Sequence, residues 1–118
     1  MNDVNAIDKA KKLAEMPEDY KPTKPLEFIA LDMDKREGFD TLDDAEAGQV
    51  IKRLYSYAQD YSNSYDTSLQ PDTYGLSQMA AFVLKLCCNS FRRMEDGRRE
   101  TSFLRSGYNN AGRPPKME

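Results

Sequence analysis

The stretch LSQMAAFVLKLCCNSFRRM, residues 76–94, constrains the fold more than any other part of the chain. Leu76, Met79, Ala80, Val83, Leu86, Cys87 and Met94 recur at helical spacing, and Phe82 and Phe91 widen the apolar surface. A helix apolar over so much of its circumference is expected to lie centrally, packed on two sides. Lys85 interrupts the run, which is too short to cross a bilayer. The chain must therefore supply other helices to cover it.

The segment DTLDDAEAGQVIKRLYSYAQDY, residues 40–61, provides the clearest one. Thr41 with Asp44 three residues on resembles a capping box. Asp43, Asp44 and Glu46 place negative charge at the positive helix end. Ala47, Val50, Ile51, Leu54 and Ala58 form its buried stripe, and Gly48 marks a close approach to another helix. Residues 3–16 predict a further amphipathic helix capped by Asp3 or Asn5, with Ala6, Ile7, Ala10, Leu13 and Ala14 on one side. PEDYKPTKP ends it, because three prolines in nine residues remove donors and bias their predecessors to extended backbone. That segment reads as a linker or a surface arm. LEFIALDMD, residues 26–34, reads as a short strand or an extended packing segment, a lone strand having no partner to pair with, and residues 62–75 as a loop rich in turn formers.

The resulting fold class is mainly α, a small domain of three to four helices near residues 3–16, 42–61 and 76–95, the last extending to about 106. The organisation is residues 1–25 as N-terminal helix and linker, 26–106 as helical core, and 107–118 as a disordered basic tail. Gly107, Asn109, Asn110, Gly112, Pro114 and Pro115 oppose regular structure in that tail. At 118 residues, with 39% hydrophobic and 31% charged residues, this is the balance of one globular domain. No basic-then-apolar leader opens it, so a cytoplasmic protein is expected.

Histidine is absent, which removes Ser-His-Asp and Cys-His catalysis and every histidine-containing metal site. Cys87 and Cys88 are neighbours pointing about 100° apart on a helix, so they form neither a relaxed disulfide nor a zinc pair. They read as core residues. Asp32, Asp34 and Asp40 near Gly38 suggest a calcium loop, but counting from Asp32 puts Arg36 at the fifth position and Asp43 at the twelfth. The pattern fails there, and carboxylates at a helix start explain it better. No cofactor and no catalytic constellation is expected; the chain reads as a non-enzyme. Tyr57, Tyr61 and Tyr65 recur every four residues, and packing explains them better than base stacking because Asp60 and Asp66 would repel phosphates.

The net charge of −3 is uneven. From Ser90 to Glu118 there are seven bases against four acids, or +3, and residues 1–89 hold ten bases against sixteen acids, or −6. The candidate nucleic-acid-binding residues are accordingly Arg92, Arg93, Arg98, Arg99, Arg105, Arg113 and Lys116. On a helix they surround the axis instead of forming one stripe, and the spacings Arg92–Asp96 and Glu95–Arg99 suit intrahelical ion pairs. Arg113 and Lys116 hold the surplus charge. A Gly-Arg-Pro core such as AGRPPK can lie in a narrow minor groove, but it occurs once here and without basic flanks before the glycine.

Taken in order, FIALDMD, DDAEAGQVIKRLYSYAQ, MAAFVLKLCCNSF, the arginine-rich stretch and the closing GRPPK resemble a family of small phage and prophage proteins of unknown function. That family is related to the N-terminal domain of replisome-organiser-like phage replication proteins. The resemblance runs from about Leu26 to Lys116; residues 1–25 have no counterpart, and GYNNAG stands where a lysine-rich glycine run is common. It implies an accessory protein of DNA replication that binds a protein partner, with DNA contact through the basic C-terminal segment. Two other functions fit the same residues: an inhibitor that occupies a host protein such as a defence nuclease, and a homo-oligomeric scaffold burying the 76–94 helix between subunits.

Overall fold

The computed structural model describes the backbone of residues 2–112 and the side chains of residues 6–106. Its elements, in order, are α1 (Asn2–Ala14), a 3-10 turn (Met33–Lys35), α2 (Arg36–Asp40), α3 (Asp44–Ser64) and α4 (Gln78–Gly112). No β-strand occurs among the described residues, so the protein is mainly α. The chain divides into two compact units, residues 26–95 and residues 1–25 with 96–118.

The hydrophobic core belongs to the unit of residues 26–95. Val50, Leu54, Tyr57, Ala58 and Tyr61 of α3 meet Ala80, Val83, Leu84, Cys87, Cys88 and Phe91 of α4, all buried. The tyrosine ladder lies inside this core, as its packing reading requires. Tyr57 and Tyr61 stack with centroids 6.0 Å apart, and each meets Phe91 edge-on at 6.4 Å. Residues 26–32 form no regular structure, yet Leu26 and Ile29 pack on the core together with Phe39, Leu42, Leu69 and Leu76.

Several local expectations are corrected. The cap of α3 is Asp43, whose Oδ1 accepts from the Glu46 amide at 2.8 Å, because its carboxylate sits three residues ahead of that orphan donor. Thr41 instead donates to the Gly38 carbonyl at 2.6 Å and closes α2, a helix absent from the sequence reading. Helix α1 begins at Asn2, which places Asp3 and Asn5 within it and not at its cap. Gly48 has nothing within 4 Å of a would-be Cβ, so it marks no helix contact. The close approach is at Gly38, where a Cβ would stand 2.9 Å from Val83 Cγ2. Finally, α4 runs through Gly107, Asn109 and Asn110 to Gly112. Glycine and asparagine cost a helix only about 1 kcal/mol or less each, whereas the first residue that strictly opposes it is Pro114. The tail expected to be disordered lies outside the described residues from 113 onward.

The end of α3 is unusual. Tyr65 adopts a left-handed conformation, φ 50°, and its amide donates to the Tyr61 carbonyl at 2.7 Å. A side chain in that region is strained by roughly 1–2 kcal/mol. Burial of the ring and a 2.5 Å hydrogen bond from its hydroxyl to Glu95 Oε2 offset the strain. Beyond it, Arg53 Nη1 donates to the carbonyls of Asp72 and Tyr74 at 2.9 and 2.7 Å, pinning the loop that leads to α4. Asp66 accepts from Ser68 Oγ and the Ser68 amide, which holds its carboxyl below the ordinary range.

Candidate protein-interaction surface

Two sets of residues bear on function: the arginines singled out from sequence, and an apolar face of α4 left uncovered.

In the unit of residues 1–25 and 96–118, Arg99 directs its guanidinium at the proline-rich arm. Its Nε donates to the Tyr20 carbonyl at 2.9 Å, and its Nη2 to those of Glu18 at 2.8 Å and Pro17 at 3.2 Å. Arg98 Nη1 donates to the Lys24 carbonyl at 2.8 Å. The chemistry follows from the sequence. Prolines 17, 22 and 25 keep the arm out of helix and sheet, leaving carbonyls without ladder partners, and a forked guanidinium can satisfy several at once. Tyr20 fixes the same arm from its other end. Its hydroxyl shares a 2.8 Å hydrogen bond with Ser102, and its ring meets Phe103 edge-on at 5.2 Å. Arg105 is exposed.

In the unit of residues 26–95, Arg92 lies 5.3 Å over the Tyr61 ring, within cation–π range, and Arg93 is exposed. The seven sequence candidates therefore do not form one described cluster. Arg98 and Arg99 share the arm, Arg92 is on an aromatic ring, Arg93 and Arg105 face solvent in different units, and Arg113 and Lys116 lie outside the described residues. Glu95 is buried and accepts a hydrogen bond from Tyr65.

The expectation that helix 76–94 is packed on two sides is overturned. Met79 is 46%, Phe82 57% and Leu86 39% exposed, and Met94 is exposed as well. Met79, Phe82 and Leu86 recur at i, i+3 and i+7, on a line turned by about 140° from the centre of the buried face. The reason is supply: α3 and the 26–42 segment cover one face of α4, and the unit of residues 26–95 has no further helix for the other. The charged residues between Gln78 and Met94 are Lys85, Arg92 and Arg93, all basic. Lys85 and Arg93 are exposed, and Arg93, seven residues after Leu86, continues the apolar line.

Three more exposed apolar side chains precede α2: Phe28 at 75%, Leu31 at 40% and Met33 at 77%. The sequence reading missed them because an irregular segment has no period by which an outward position can be recognised. The cysteines are inert packing. Both are buried in the core, desolvation raises the Cys87 thiol, and it pushes that of Cys88 up to about 12. Among the described residues no cluster of three or more histidine, cysteine, aspartate or glutamate side chains could hold a metal ion. No helix among them is long and apolar enough to cross a membrane. No family model matches the chain, and neither a curated protein nor a solved structure matches it.

Proposed function

We propose that this chain is a non-enzymatic accessory protein of the phage type, linked to DNA replication and working in the bacterial cytoplasm by protein binding. The supporting observation is the exposed line Met79–Phe82–Leu86 on α4. Anchors at i, i+3 and i+7 are the spacing by which helices are recognised across a surface. The replication assignment rests on the resemblance of the FIALDMD, DDAEAG and GRPPK segments to a family of small phage proteins of unknown function, itself related to the N-terminal domain of replisome-organiser-like replication proteins. DNA contact is secondary in this reading, because Arg98 and Arg99 donate to backbone carbonyls and leave Arg93, Arg105, Arg113 and Lys116 as the better phosphate contacts.

A photo-crosslinking amino acid placed at position 82 of the full chain, in cells that carry the phage, tests it. Adducts to a replication protein or to a second copy are expected, with none from exposed position 59 on α3. Adducts to a host nuclease would instead establish the inhibitor function, and no adduct at all from position 82 would overturn the surface assignment. A DNA titration examines the secondary role. Four phosphate contacts would weaken binding about 100-fold between about 50 and 200 mM salt.

A further inference from the structure

The geometry points to a second copy of this chain as the occupant of the α4 surface, its acidic apolar segment 26–34 seated on Met79, Phe82 and Leu86. This rests on the protein-binding reading above and names the partner.

Three observations carry it. The first is charge. Residues 78–94 hold three bases and no acid, or +3, whereas residues 26–40 hold five acids and two bases, or −3. In the latter, Asp32 and Asp34 flank Met33, and both share the single Lys35, at 3.8 and 3.1 Å. Two carboxylates on one ammonium leave a net negative charge beside an apolar side chain 77% exposed. The α4 line shows the converse, apolar side chains bordered by Lys85 and Arg93.

The second is symmetry. Both patches belong to the same compact unit, and Gly38 seats the end of the acidic segment directly on α4 at Val83, the neighbour of Phe82. A two-fold axis brings the acidic patch of each copy to the basic patch of the other, so one geometry satisfies both contacts.

The third is area. Taking about 200 Å² for a fully exposed large side chain, the fractions for Phe28, Leu31, Met33, Met79, Phe82 and Leu86 amount to roughly 650 Å² per copy. Polar rim residues bring this near the ~800 Å² per partner of a standard interface. The α4 line alone reaches less than half of that, which a stable dimer does not tolerate. The two patches used reciprocally do.

Sedimentation velocity of the full chain from about 1 to 200 µM is the test. A dimer of twice 13.5 kDa is expected, tightening as salt is lowered. Phe82→Asp and Met33→Asp are each expected to weaken it by more than about tenfold. Both positions are exposed, so circular dichroism should be unchanged. The decisive pair is Lys85→Glu with Arg93→Glu in one protein, and Asp32→Lys with Asp34→Lys in another. Each is expected to be monomeric alone, since both contacts become repulsive, and their equimolar mixture to recover the dimer. A dimer indifferent to these reversals overturns the proposal, as does a wild-type monomer throughout. A monomer that still crosslinks another protein from position 82 leaves the protein-binding function standing without the second copy, and one that crosslinks nothing sinks both.

Discussion

Removing one oxygen from the core gives a direct measure of how α3 is held to α4. Tyr65→Phe deletes the hydroxyl that donates to Glu95 Oε2 at 2.5 Å and leaves the ring 5.4 Å from Tyr61. Phenylalanine inherits the same backbone, so the left-handed strain at φ 50° is common to both proteins and cancels. Glu95 is 2% exposed, and water cannot take the place of the lost donor. The expected loss is about 1–3 kcal/mol, the cost of stripping a buried polar group of a bond. At roughly 2.1 cal/mol/K per residue, a chain of 118 residues has an unfolding entropy near 0.25 kcal/mol/K, so a 2 kcal/mol loss lowers Tm by about 8 °C. Thermal melts and urea titrations of Tyr65→Phe, Glu95→Leu and the double variant complete a cycle. The urea slope should be unchanged, and the coupling energy about 1 kcal/mol or more. A loss below about 0.5 kcal/mol with additive single effects would refute the claim that this bond joins the two helices.

Four other outcomes follow from the same packing. Gly38→Ala drives a Cβ to 2.9 Å from Val83, itself 1% exposed and unable to retreat, at a cost of about 1–3 kcal/mol by chemical denaturation. Adding Val83→Ala should return part of the loss, and a neutral Gly38→Ala would mean that α2 is not held there. Arg99→Lys replaces a fork that reaches three carbonyls with a point charge, so amide exchange across residues 17–24 should accelerate by about tenfold or more. Arg105→Lys serves as the unchanged control. The Cys88 thiol, raised to about 12 by burial, should resist thiol reagents at about pH 8 until the protein unfolds. Its raised value also sets a sign. The unfolded thiol loses its proton first, so stability is whole below about pH 8.5 and falls as pH rises toward 12. Urea midpoints of wild type should therefore drop more steeply over that window than those of Cys88→Ala.

Much of this architecture is legible in the one-dimensional pattern. The spacing of Val50, Leu54 and Ala58, and of Ala80, Val83 and Cys87, encodes two amphipathic helices, because burial of a stripe is a periodic demand. The prolines of residues 17–25 likewise announce an arm that no helix can absorb. The interaction surface is less legible. Met79, Phe82 and Leu86 have the same composition and period as the core residues beside them, and periodicity cannot say which stripe finds a neighbour. The contacts of the arginines are equally hidden. Counting charge brings Arg98 and Arg99 forward as phosphate contacts, while the carbonyls they hold lie about 80 residues away in sequence.

Local sequence thus determined the two long helices and the proline-rich arm, since periodicity and proline sterics act within a few residues. Tertiary structure alone decided that Tyr65 donates a hydrogen bond to Glu95, that Gly38 lies against Val83, and that one face of α4 remains open. Those outcomes depend on which distant residues arrive at the same place, and a short-range pattern carries no record of that.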